Sequence, residues 1–297
     1  MTTVSVTPQP AALPEAPRRT GRRRPPRSRG LSAVRFAVLL GFVVVFLIPL
    51  YVLLATSFKP LSEADPSRAW NLPTRWTLEG WRAALDALSP ALWNSVKLAV
   101  SGSVISAVLG SLNGYVLSKW RFPYADVVFT AFLFGMFIPY QAVMIPLVQL
   151  MTKAHLIGGI PGLVLAHVVY GIPICTLIFR NYYATIPDEL VEAARVDGAG
   201  MLRSYASVVL PNSAPAFAVV LIWQFTSMWN DFLFAVFLTG PASWPATVRL
   251  NNIAGSMVVP YSQQMAAAVL ASLPTLLVYV LLGRFFMRGL MAGALKG

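Results

Sequence analysis

Charge is the scarcest property of this chain: Asp, Glu, Lys and Arg together make up 11% of its 297 residues, and only 11 of those are acids against 23 bases. Soluble globular domains carry about 25% charged residues, so an ordinary water-soluble fold is excluded. Cysteine is nearly absent. The single Cys175 can form no intrachain disulfide and suits a small apolar core position. The only two histidines, His155 and His167, have no carboxylate near either, which is not a metal-ligand spacing. None of the lysines (Lys59, Lys97, Lys119, Lys153, Lys296) follows a glycine, so the glycine-rich phosphate loop with its Lys is missing. The chain is therefore expected to hold no metal or cofactor and to be no enzyme.

Long apolar runs are what the sequence does have. Residues 36–58, 98–118, 127–152, 154–179, 204–230 and 250–283 are each uncharged or nearly so and long enough to cross a bilayer core, which takes about 18–20 helical residues. They predict an all-α polytopic membrane protein of six transmembrane helices, residues 35–297. The fifth span is expected to run on to about Leu238, and the sixth to start nearer Gln264, because Pro211 and the "GPASWP" turn mark better ends.

Residues 1–34 differ in kind. The stretch "PQPAALPEAPRRTGRRRPPRSRG" has little to bury and reads as a disordered Arg- and Pro-rich tail. The apolar run after it is longer than a signal-peptide core and no small-residue cleavage site follows. With the N-terminus in the cytoplasm, sixteen of the 23 basic residues fall inside: eight Arg of the tail and its border, Lys119, Arg121, Arg180, Arg195, Arg203, Arg284, Arg288 and Lys296. The asymmetry predicts a multi-pass protein of the bacterial plasma membrane with both termini cytoplasmic. The net charge of +12 then reflects contact with membrane lipid rather than nucleic acid.

Against this apolar background, "PDELVEAARVDGAGMLRSYASVVLP" (187–211) concentrates Asp188, Glu189, Glu192, Asp197, Arg195 and Arg203. Pro187 with two acids behind it suits a helix start, and Gly198 suits the left-handed position past its end. Leu190, Ala193 and Ala194 recur at i, i+3 and i+4, giving one narrow apolar face. Residues alone leave two readings: a solvated loop kept in water by its charges, or a docking helix whose alanines allow close approach.

The spacing Glu192-Ala193-Ala194, three residues, Gly198, nine residues, Val208, one residue, Leu210-Pro211 resembles the signature loop of permease subunits of binding-protein-dependent ABC importers, with Val208 where isoleucine is usual. "NLPTRWTLEGW", "WNSVKLAV", "SKWRFP", "MWNDFLFAVFLT" and "FFMRGLMAGALKG" are similar to the maltose-type, MalG-like branch. This resemblance implies an ABC permease domain with a coupling helix between spans 4 and 5, in a loop at about 185–211. It further implies a second homologous permease, a cytoplasmic ATPase dimer that binds ATP and Mg, and an extracytoplasmic sugar-binding protein. The cargo would be a sugar, expected to be a di- or oligosaccharide. Glu189, Glu192, Ala193, Ala194, Asp197, Gly198, Leu210 and Pro211 would make up the coupling loop.

Asp231 is the sole carboxylate within a span, and Trp223, Gln224, Trp229 and Asn230 precede it on the same span. Together with Tyr140 and Tyr170 they form a candidate sugar pathway, since hydroxyls want hydrogen-bonding side chains and sugar faces stack on aromatic rings. Gln141, Asn113 and His167 are weaker candidates of the same kind. The competing reading has Asn230 and Asp231 bonding neighbouring helices while the indoles pack. Gly110 and Gly114, spaced as GxxxG, suit close helix packing. The rival function is a proton-coupled secondary transporter relaying through Asp231 and His167, and a non-transporting scaffold is a further one. Topology is open to direct test: with Cys175 replaced, single cysteines at Ser67 and Ser256 are expected to react with an impermeant thiol reagent added outside, and one at Ser204 not to. Labelling at Ser204 in intact cells would invert the orientation.

Overall fold

The computed structural model describes residues 29–120 and 122–294, with side chains described for 34–120 and 122–283. The tail from Met1 to Ser28 and the side chains of the C-terminal motif lie outside the described residues. The chain divides into two compact units, residues 1–48 and 49–297. Helix α1 (Arg29–Ser57), the larger part of which belongs to the first unit, begins inside the stretch read as tail and carries exposed apolar side chains such as Phe36, Phe42 and Phe46. No proline intervenes between Pro26 and Pro49, so nothing stops the helix from starting before the apolar run does.

The second unit is built on α2 (Glu79–Lys119). Its 41 residues span about 60 Å at 1.5 Å per residue, twice the thickness of a bilayer core. Its first half packs Ala84, Leu88 and Ala91 on Ile253, Ala266 and Ala267, which belong to α10 (Ala246–Ala254) and α11 (Tyr261–Ala294). Gln263 and Arg249 tie that contact by donating to the carbonyls of Ala83 and Ala87. Its second half is the predicted second span and lies against α5 (Ile160–Tyr183) and α8 (Ala214–Trp229).

Glycines make these crossings close. A Cβ on Gly110 would lie 2.3 Å from the Cβ of Cys175, and one on Gly114 2.7 Å from that of Phe179, so α5 sits on the bare backbone of α2. Between helices in lipid, where hydrophobic drive is weak, such backbone approach supplies the dispersion contact that holds a pair together. The GxxxG expectation is met, and Cys175 is buried in this seam.

Two spans depart from continuous helices. The predicted third span, 127–152, is α3 (Ala125–Met136) and α4 (Met144–Lys153), interrupted around Pro139. Proline brings no N–H to the helical ladder and disfavours helical geometry at Ile138 before it. The fifth span is a chain of pieces: α7 (Met201–Ser204), a π-helical turn at Tyr205–Val209, a 3-10 turn at Pro211–Ser213, then α8, with a 50° bend. After a break at 230–232 it resumes as α9 (Leu233–Leu238), ending where the sequence suggests. Four described helices are long and apolar enough to cross a membrane, five if the bent pair is one span. The segment expected to supply a further crossing is the broken α3–α4 pair, neither piece of which is long enough to cross alone. Ser204 is fully buried, so the labelling position on that side moves to the exposed Ser207.

Gly110→Val and Gly114→Val are expected to lower stability by about 1–3 kcal/mol or more, because neither neighbouring backbone can withdraw. Gly135→Ala, whose new Cβ meets nothing within 4 Å, is expected to be neutral or slightly stabilising. Thermal inactivation in detergent checks the order.

Candidate functional site

Both interruptions open onto one cavity. Its volume is about 710 Å³, and its wall includes Tyr140 and Gln141 from the break between α3 and α4, and Asn230, Asp231 and Phe232 from the break after α8. Irregular backbone inside a bilayer is tolerated where it borders a polar cavity or protein, because its amides and carbonyls need partners there. One face of α5 contributes His167, Tyr170, Gly171 and Ile174, spaced i, i+3, i+4, i+7. One face of α8 contributes Trp223, Gln224 and Ser227, and Asn230 and Asp231 just past its end continue the same side.

Asp231 is held from two sides. Its carboxylate accepts from the backbone N–H groups of Phe234 (3.3 Å) and Ala235 (3.0 Å), capping the first turn of α9. Its Oδ2 also lies 3.3 Å from His167 Nε2, both side chains more than nine-tenths buried, without the alignment of a hydrogen bond. Asp231 thus bonds the helix that follows it and borders the cavity, while Asn230 donates to the Thr226 carbonyl of its own helix. Phe234 sits at the centre of an aromatic box, its ring 5.4 Å from Tyr140, 5.2 Å from His167 and 5.3 Å from Tyr170. Gln224 is buried, donates to Cys175 Sγ at 2.9 Å and packs on Gly171, where any Cβ would collide with it.

Of the predicted pathway residues, Tyr140, Tyr170, Trp223, Gln224, Asn230 and Asp231 line this cavity. Trp229 does not. It is 2% exposed, stacks on Phe225 and donates its indole N–H to the Ala271 carbonyl on α11. Six residues separate it from Trp223, a turn of about 600° at 100° per residue, so the two indoles leave α8 on different sides. Asn113 also lies outside the wall. Phe234 and Ser227 were missed; the helical spacing from Trp223 points to Ser227, whereas nothing in the sequence marks Phe234 among its apolar neighbours.

A second constellation surrounds α6 (Asp188–Val196). Pro187 is extended (φ −56°, ψ 135°) and occupies the cap position rather than the first turn. Asp188 and Glu189 open the helix and Arg195 closes it, complementing the helix dipole. At the far end Gly198 takes φ +80°, while its N–H bonds to Arg195 and that of Ala199 to Ala194, the paired bonds of a glycine-terminated helix. A Cβ there would meet nothing within 4 Å, so glycine is required by the backbone angle alone. Val191 turns inward to Tyr205, Val209 and Phe179. Leu190, Glu192, Ala193 and Val196 are exposed, Val196 to 88%, and Ala194 is half-buried. Glu189, Asp197, Leu210 and Pro211 are exposed too.

The family model for inner membrane components of binding-protein-dependent transport systems matches residues 102–291. The chain belongs to that family. It is 35% identical over 283 residues to the xylose/arabinose import permease protein XacI of Haloferax volcanii, covering 86% of this chain and 91% of that protein. It is 52% identical over 165 residues to a protein of Pyrococcus horikoshii described as a probable ABC transporter permease, covering 55% of this chain and 60% of that one. The fold matches a chain in the crystal structure of a bacterial ABC transporter involved in alginate import, with TM-score 0.77, 24% identity and coverage of 89% and 100%.

Trp229→Ala is expected to cost about 3–5 kcal/mol by emptying a core position, and so to reduce folded protein in the membrane. Trp223→Ala is expected to leave the amount unchanged, since its side chain is half exposed. Membrane abundance by immunoblot and melting in detergent distinguish the two.

Proposed function

We propose that this chain is one of two homologous permease subunits of an ABC importer that carries a sugar into the cell. The observation that carries the reading is α6: a short helix with an exposed apolar side, set on a glycine-capped turn, in a chain of the importer family. A cytoplasmic ATPase dimer would bind ATP and Mg and seat Leu190, Ala193 and Ala194 in a groove, with Glu192 against a basic group. No ion pair of Glu192 is present among the described residues, which leaves its carboxylate open to a partner. An extracytoplasmic binding protein would deliver the sugar, and both termini would be cytoplasmic. The cavity, with its stacking rings, amides and one carboxylate, suits a di- or oligosaccharide shared with the second permease. ATP-driven closure of the ATPases would displace α6, and rigid-body movement of the permease cores would expose the cavity to alternate sides. A proton relay through His167 and Asp231 leaves α6 without a task.

Glu192→Ala is expected to weaken ATPase docking by about 2–5 kcal/mol, because it strands a desolvated partner charge. Gly198→Val is expected to retain bound ATPase and lose transport, since forcing a branched residue to positive φ costs about 1–3 kcal/mol and tilts the helix. Gly198→Asn, which tolerates that angle, is expected to transport. ATPase co-purification and uptake of xylose, glucose, maltose and diacetylchitobiose at matched membrane levels form the test. A parent chain that transports none of them with its co-purified partners, or mutants that all behave like the parent, would contradict the reading.

A further inference from the structure

The end of α2 is fastened to α6 by more contacts than chain continuity requires. Lys119, the last residue of α2, has a side chain 3% exposed, and its Nζ donates to the Ile186 carbonyl and to the Asp188 carboxylate, the latter at 2.6 Å. Both acceptors lie at the start of α6. From the other end of that helix, the Arg195 guanidinium stacks over the Trp120 ring at 4.2 Å and donates to the Lys119 carbonyl at 3.3 Å. One turn and two turns back along α2, Tyr115 donates to the Met201 carbonyl at 3.1 Å, and Ser111 shares buried hydroxyl bonds with Tyr183 (2.6 Å) and Tyr205 (2.7 Å). The loop that turns from α6 to α8 is thus fixed to α2 at both of its sides.

We propose that Lys119, supported by Trp120, is the positioning residue that makes α6 and α2 one moving body, so that a displacement of α6 reaches the cavity through α2. This rests on reading α6 as the helix that meets the ATPase. The route is contiguous: from Lys119 along α2 to Gly110 and Gly114, where α5 rests on its backbone, and along α5 to His167 and Tyr170 in the cavity wall. Without the Lys119 contacts, the segment joining Tyr183 to Asp188 could flex, and a push on α6 would be spent there.

Accessibility of the cavity reads this without knowing the sugar. In a Cys175→Ala background, Ser227→Cys places a thiol in the cavity wall of the chain, purified with its native partners and reconstituted in liposomes. Its reaction rate with a charged methanethiosulfonate reagent is measured without nucleotide and with ATP and vanadate. The rate is expected to change at least about fivefold, the low end of site-to-site coupling. Adding Lys119→Met is expected to leave the ATPase bound and hydrolysing while the rate becomes independent of nucleotide, and Lys119→Arg is expected to restore the response. If Lys119→Met fails to assemble, Asp188→Ala decides in the same terms, because that side chain is 62% exposed and its loss empties no core. A full response in the Lys119→Met or, failing assembly, the Asp188→Ala complex would overturn the proposal and leave the role of α6 standing. A parent complex with no response at all would overturn the role of α6 itself.

Discussion

Bare backbone contact between α2 and α5 is the constraint on which the other features depend. Gly110 and Gly114 let Cys175 and Phe179 approach α2 to a distance no side chain would permit. In lipid this closeness substitutes for the hydrophobic drive that holds soluble helices together. Once the pair is fixed, the hydroxyls of Ser111 and Tyr183 meet at its one end, and with Tyr205 they anchor the π-helical turn that follows α6. Toward its other end, the cavity face of α5 is set at the angle that brings His167 and Tyr170 to Phe234.

The cavity obeys a second rule, that unpaired backbone inside a bilayer must face something polar. The α3–α4 break and the α8–α9 break lie in the same wall, and each supplies polar side chains beside its own loose ends. Asp231 illustrates the economy of this arrangement: two amides of α9 are satisfied by the same carboxylate that faces His167. Several of the chain's cations are used in a comparable way. Lys119 and Arg195 bind α6 to α2, while Arg180 bonds Asp126 at 2.6 Å, covers the Phe129 ring and donates to the Leu117 carbonyl, joining α3 and α5 to the same end of α2.

Much of this was legible in the sequence, for identifiable reasons. Long uncharged runs give crossings because a bilayer imposes a length, and Gly198 announces its turn because few other residues accept φ near +80°. The break at Pro139 was hidden because both sides of it are equally apolar, so hydropathy cannot separate one long helix from two short ones. The first half of α2 was hidden for the opposite reason: Arg82, Asp86 and Pro90 lower its hydropathy, and its burial comes from α10 and α11, remote in sequence. Trp229 was drawn to the pathway by its chemistry when its angular position on α8 assigns it to the core. Phe234 escaped notice because an aromatic box is a tertiary object.

Whether the loop around α6 and the body of α2 move together is the claim that unites these features. Spin labels at Val196 on α6 and Val108 on α2, both exposed, report on it in the assembled complex by pulsed electron-spin distance measurement. Nucleotide-free and ATP-trapped states are compared, and the mobility of the Val196 label registers that α6 has responded to ATP. The account predicts a changed mobility with an unchanged distance between the two labels. A changed mobility with a shifted or broadened distance would mean that α6 moves on its own, and would contradict it.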